Sequence, residues 1–116
     1  MLSRKNRINT ELFKEVLKNG RVHNFNFFSL RVLKLSPQDE NRFAFVAPKK
    51  IFKKAVQRNL LRRRGYNAVK NEFGNNAPSL AAVFFLKKGA EELNFKDFKN
   101  EIKIALRKIK DIKKDL

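Results

Sequence analysis

The side chains able to do covalent or acid–base chemistry are few and scattered. His23 is the only histidine, there is no cysteine, and Ser3, Ser29, Ser36 and Ser79 have no evident base beside them. Thiolate metal sites, paired-histidine sites and cysteine catalysis are thereby excluded. Glu91 and Glu92 are adjacent, so they diverge on a strand and sit about 100° apart on a helix. They read as surface charges near a helix start. What the spacing does supply is cations. Between Glu40 and Glu72 there is no acidic residue, while Arg42, Lys49, Lys50, Lys53, Lys54, Arg58, Arg62, Arg63, Arg64 and Lys70 fall in that interval. Arg58 and Arg62 stand four apart with no carboxylate to relieve them, and like charges at that spacing repel on a helix. Such an array calls for an external anion. Guanidinium forks grip phosphate in pairs of hydrogen bonds and stack on bases. Asn59 offers an amide that could meet a ribose or base edge, or could order the loop before the helix.

The whole chain repeats this bias. Its 116 residues carry 28 Lys+Arg against 11 Asp+Glu, a formal charge of +17. Self-repulsion of that size is relieved by a polyanion, with nucleic acid the first candidate. The length fits one domain spanning residues 1–116. With 42% hydrophobic residues and 12 Phe, a core is available, which sets the chain apart from a disordered basic tail. No apolar run approaches the ~18–20 residues of a membrane span. The basic start, Met1 to Arg7, is followed by no apolar stretch of the signal-peptide kind. A cytoplasmic protein with no membrane partner is expected.

The elements that must position the cations can be read in outline. A first helix is expected over Thr10–Asn19, with Thr10 as its N-cap, Glu11 and Glu15 near its positive end and Gly20 as its stop. Leu12, Phe13, Val16 and Leu17 share one face. A strand over Phe25–Leu35 alternates Phe28, Leu30 and Val32 with Ser29, Arg31 and Leu33. A turn at Ser36–Asn41 and a second strand, Arg42–Ala47, suggest an antiparallel hairpin, and a short extra strand near Arg21–His23 is compatible. A helix from Ala55 or Val56 to Phe73 follows, broken by Gly74-Asn75-Asn76. Ala81–Leu86 is apolar throughout and suits a strand buried on both faces, parallel to the second. A last helix, Phe95–Ile112, is capped by Asn94; its stripe is Phe95, Phe98, Ile102, Ala105, Leu106, Ile109 and Ile112. This basic helix interleaves Asp97, Glu101 and Asp111, so it reads as an ordinary solvated face. The fold class is α+β, a compact sandwich of helix, strands, helix, strand and helix around a mixed sheet. Residues 1–8 and 113–116 are expected to fray.

The stretch Lys49-Lys50-Ile51-Phe52-Lys53-Lys54-Ala55-Val56-Gln57-Arg58-Asn59-Leu60-Leu61-Arg62-Arg63 resembles the signature of the bacterial ribonuclease P protein subunit: a lysine pair, a basic loop, then an Arg-Asn-Arg/Lys box with two further basic residues. Arg4–Ile8, Phe13–Gly20, Ala81–Leu86 and the last helix fit the same family, so the likeness spans nearly the whole chain. The sequence departs from the pattern at Leu60, the third residue of the box, and at Tyr66, where the family has a basic residue. Gly65 before it costs a helix about 1 kcal/mol relative to alanine.

The resemblance implies a division of labour. The family's protein binds a catalytic RNA through the basic helix and loop, here Lys49, Lys50, Lys53, Lys54, Arg58, Asn59, Arg62 and Arg63. The RNA, with Mg²⁺, removes the 5′ leader of precursor tRNA, and a cleft of the protein holds that leader. By the same resemblance Phe13, Leu17, Ser29 and Arg31 line the cleft, and the Phe25, Phe27 and Phe28 cluster is dense enough to place a ring there. The chain then has no catalytic residue and no tight metal site of its own, and DNA is not an expected partner. The alternatives are a structural RNA-binding module of ribosomal-protein type, a free-standing nuclease or DNA reader, and a binder of anionic membranes. A nuclease lacks its constellation here. A helix-turn-helix reader needs two closely linked helices, whereas the basic helix lies between two expected strands. The Phe-rich strands favour a closed core over a membrane-surface helix.

Overall fold

A strand that is apolar at every position must be covered on both faces and both edges, and that requirement organises this molecule. The structure, a computed structural model, describes residues 6–36, 38–70 and 79–114, with side chains through residue 109. Its elements are α1 (Thr10–Asn19), β1 (Arg21–Asn24), β2 (Phe28–Lys34), β3 (Arg42–Val46), α2 (Ala55–Val69), β4 (Leu80–Leu86), a short 3-10 turn (Ala90–Glu92) and α3 (Phe95–Lys114). The four strands form one sheet in the order β1-β2-β4-β3. β4 runs antiparallel to β2, with Ser29 opposite Phe85 and Arg31 opposite Val83, and parallel to β3, with Phe45 opposite Phe84.

This order overturns the expected hairpin. β2 and β3 are not neighbours, because β4 lies between them. The central place goes to β4 since six of its seven residues are buried, whereas β2 and β3 alternate buried and half-buried side chains. Asn41 helps hold the arrangement: its Oδ1 accepts from the Leu80 amide at 2.9 Å, at the point where β4 begins. The parallel pairing of β3 with β4 and the short first strand agree with the sequence reading.

The two faces of the sheet carry different layers. On one, Phe28, Leu30, Val32, Phe43, Phe45, Leu80, Ala82, Phe84 and Leu86 pack with Leu61, Ala68 and Val69 of α2 and with Phe98, Ile102, Ala105, Leu106 and Ile109 of α3. On the other, Val16 of α1 is fully buried with Ala81 and Val83, and Leu12 and Phe13 pack around them. The apolar stripe expected for the last helix is in this core where side chains are described, except that Phe95 is exposed; Ile112 lies outside the described side chains.

Local details refine the helix ends. The N-cap of α1 is Asn9 rather than Thr10: its Oδ1 accepts from the Leu12 amide at 2.8 Å, and Thr10 is already helical. Gly20 does end α1, but at φ −72° and not in the left-handed region. Glycine is needed there for space, since a Cβ would stand 2.4 Å from the Val16 carbonyl oxygen. Asn94 caps α3 as expected, accepting from the Asp97 amide at 2.8 Å. α2 ends at Val69; Phe73 and the Gly74–Asn76 break fall outside the described residues. Residues 1–5 and 115–116 also fall outside them, while α3 runs past Ile112 to Lys114. Asn6 and Arg7, in the segment expected to fray, are tied down. The Asn6 amide donates to the Asn41 carbonyl at 3.0 Å, and Arg7 bridges Phe43 in parallel register.

Candidate nucleic-acid interface

Two surfaces on opposite faces of the sheet collect the residues singled out by the sequence. The basic one begins at Pro48, whose carbonyl accepts from the Ile51 and Phe52 amides at 3.1 and 2.9 Å. Phe52 is fully buried and anchors the loop that displays Lys49, Lys50, Lys53 and Lys54, all exposed. Arg58 staples this loop to the helix: one guanidinium nitrogen donates to the Phe52 and Lys53 carbonyls at 2.9 and 3.0 Å. Part of the repulsion between Arg58 and Arg62 is thus met inside the chain by carbonyl dipoles, and an external anion is not its only relief. Asn59 does not order the loop; its Oδ1 accepts from the Arg62 guanidinium. Arg64 points elsewhere, toward the Leu93 carbonyl at 3.4 Å.

The N-terminus of α2 adds to this field. It has no acidic residue in its first turn and no side-chain cap bond, so the positive end of the helix dipole is not offset by a carboxylate of its own. Exposed Arg62 and Arg63 continue the basic face along the helix.

The second surface is the groove beside α1. Odd-numbered residues of β2 and β4 face it, so Ser29 and Arg31 stand opposite Phe85 and Val83. The Arg31 guanidinium donates to the Leu17 carbonyl at 2.9 Å near the end of α1. Its carbon lies 5.7 Å from the centroid of the Phe85 ring, and that ring is 6.3 Å from Phe13. Phe13, Leu17, Ser29, Arg31 and Phe85 are all half-buried. The groove therefore offers two aromatic rings and a guanidinium plane held by a helix-terminal carbonyl, a set suited to stacking on planar bases.

Phe85 joins these residues although the sequence pattern of its strand predicts burial on both faces. The signal was present: adjacent Phe84 and Phe85 must point to opposite faces of a strand. The Phe25, Phe27 and Phe28 cluster supplies no ring to the groove; Phe28 is in the core under α2 and α3, and Phe25 and Phe27 pack against that same core.

The family model described as Ribonuclease P matches residues 2–110. The chain belongs to the ribonuclease P protein family. No curated protein matches it. Solved structures do. A Staphylococcus aureus RNase P protein is 19% identical, with 90% of this chain and 95% of that one covered and a TM-score of 0.78. A mutant of the S. aureus protein, described as defective in mRNA degradation activity, is 19% identical over 90% and 88% of the two chains at a TM-score of 0.79. The Thermotoga maritima RNase P protein is 21% identical over 88% and 96%, with a TM-score of 0.75. These likenesses establish the ribonuclease P protein fold, and family membership implies partnership with a ribonuclease P RNA.

Of the two departures from the family pattern, Tyr66 has a local setting that it shares with Gly65. A Cβ on Gly65 would stand 2.4 Å from Cδ1 of Phe45, so glycine lets that ring lie against the helix. Tyr66 meets the same ring edge-on, with centroids 5.4 Å apart. Leu60 is exposed and takes no part in the core.

Among the described residues no group of three or more His, Cys, Asp or Glu side chains could hold a metal ion. No helix among them is long and apolar enough to cross a membrane.

Proposed function

We propose that this chain binds a ribonuclease P catalytic RNA through the loop before α2 and the outer face of α2, and holds the 5′ leader of precursor tRNA in the groove beside α1. In this reading Lys49, Lys50, Lys53, Lys54, Arg62 and Arg63 meet phosphates. Arg58 keeps their loop in place, and Phe13, Arg31 and Phe85 stack on leader bases. Leu17 and Ser29 wall the groove. The chain supplies no group that cuts; the cleavage and the Mg²⁺ it requires belong to the RNA. The protein's share is to favour precursor over mature tRNA by gripping the part that only the precursor carries.

One observation carries this reading. The acid-free basic helix and the aromatic groove lie on opposite faces of a single sheet, so one small protein can touch two RNA segments at once. A bridging protein gains from both contacts with no new chemistry, because the second contact becomes intramolecular.

The test is reconstitution at low Mg²⁺. A bacterial ribonuclease P RNA and precursor tRNA are incubated with and without the protein, beside a control with protein alone. Leader removal only when RNA and protein are both present is the expected result. RNA binding without restored cleavage would instead mean a structural RNA-binding protein, and cleavage by the protein alone would overturn the division of labour.

A further inference from the structure

The outer face of α2 is not flat. Asn59, Arg62, Arg63, Tyr66 and Asn67 line an open hollow of about 210 Å³. Their spacing is that of one helical stripe, the stripe that an amphipathic helix ordinarily fills with apolar residues and turns to the core. Here Asn59, Arg62, Arg63 and Asn67 are exposed and Tyr66 is half-buried against the edge of the core, while Leu61, Gly65, Ala68 and Val69 make the buried side.

We propose that this hollow takes a single unstacked nucleobase of the RNA partner, with Tyr66 as its stacking face, Asn67 on its hydrogen-bonding edge and Arg63 on its phosphate. The inference rests on the reading of α2 as the RNA-gripping helix and adds a base contact to it. Four observations support it. The hollow is smaller than the roughly 300–1,000 Å³ of sites for whole small molecules, which suits one ring system. Tyr66 is held in place by its edge contact with Phe45, whose ring is stacked on Phe84 at 4.6 Å. Arg62 is oriented by Asn59, whereas Arg63, Asn67 and the Tyr66 hydroxyl have no hydrogen-bond partner among the described residues. Finally, an amide such as Asn67 both donates and accepts. A base edge asks for both, and a phosphate, as an acceptor, asks only for donors.

Tyr66 is the only tyrosine and the chain has no tryptophan, so intrinsic tyrosine emission reports on this hollow alone. The experiment titrates the full chain with a bacterial ribonuclease P RNA transcript and, separately, with inorganic polyphosphate, a polyanion without bases. Emission is corrected for RNA absorbance. The RNA is expected to quench Tyr66, and polyphosphate to bind without quenching it. Tyr66→Leu should weaken RNA binding about 5- to 150-fold, the range for loss of one stacked base, with the salt dependence unchanged. Tyr66→Phe, which keeps the ring, should bind within about twofold of the parent. Asn67→Ala, at an exposed position, should weaken binding without changing the melting temperature, which separates contact from folding.

Equal quenching by RNA and polyphosphate would overturn the proposal. So would a folded Tyr66→Leu variant that binds as the parent does. If the RNA binds with steep salt dependence while Tyr66 stays silent, this inference alone fails. If the parent shows no salt-dependent binding of the RNA, the reading of α2 fails with it.

Discussion

Replacing Gly65 with alanine sets two effects of opposite sign against each other. In an exposed helix the change stabilises by about 1 kcal/mol. Here the new Cβ would stand 2.4, 2.5 and 2.7 Å from Cδ1, Cγ and Cε1 of Phe45, where carbon atoms ordinarily rest about 3.5–4.0 Å apart. The ring must therefore retreat by about 1 Å or the helix must lift. The ring has little room to move, since it is stacked on Phe84 with planes 9° apart and touches Tyr66 edge-on. Overpacking of this kind costs about 1–3 kcal/mol, and a disturbed aromatic pair about 0.5–1.5 more. Set against the helix gain, the expected result is a net loss of about 2 kcal/mol, or about 8 °C in melting temperature for a chain of this length. Urea and thermal unfolding of Gly65→Ala, Phe45→Ala and the double variant form the assay. Phe45→Ala removes all three of the clashing atoms, so in that background the cost of Gly65→Ala should fall to about zero or change sign, a coupling of about 2 kcal/mol or more. Equal costs in both backgrounds, or a stabilised Gly65→Ala in the parent, would refute the argument from close approach.

Arg58 and Arg63 should separate two roles. Arg63→Ala is expected to leave stability within about 0.5 kcal/mol and to lower the slope of log K against log salt for RNA binding by about 0.7–0.9. Arg58→Ala removes the staple on the basic loop, so it should cost about 1 kcal/mol of stability as well as RNA affinity; an unfolding midpoint equal to the parent's would show that the staple holds nothing. In the groove, Phe85→Leu keeps most of the apolar volume and should cost less than about 1.5 kcal/mol, while precursor tRNA loses more affinity than mature tRNA. Equal losses for the two tRNAs in a filter-binding comparison would remove Phe85 from leader recognition. Asn94→Ala should destabilise the fold by about 1 kcal/mol through loss of the α3 cap, leaving the salt slope of RNA binding unaltered.

The local elements were legible because their signals are local. Helical periodicity located α1, α2 and α3 to within a few residues at their described ends, and alternation identified the buried and half-buried sides of β2. The acid-free interval from Glu40 to Glu72 marks the basic helix by composition alone. The resemblance carried by Lys49 to Arg63 agrees with the family to which the chain belongs. Phe13, Leu17, Ser29 and Arg31, expected from separate elements, lie on the same side of the sheet: Arg31 donates to the Leu17 carbonyl, and Ser29 stands opposite Phe85, whose ring neighbours Phe13.

What the amino-acid sequence determined by itself was composition, charge, element type and the grouping of cations on α2, since each depends on residues close together in the chain. Only the tertiary structure decided which strands are neighbours. A short loop favours a hairpin locally, but burying β4 on both faces and both edges places it between β2 and β3, and that choice depends on contacts across tens of residues. The same packing turned Phe85 toward α1, brought Phe45 against Gly65 and aimed Arg58, Arg62 and Arg64 in three directions from one basic run. A side chain's direction and its partners are set by what surrounds it in three dimensions, and the linear spacing of charges does not encode them.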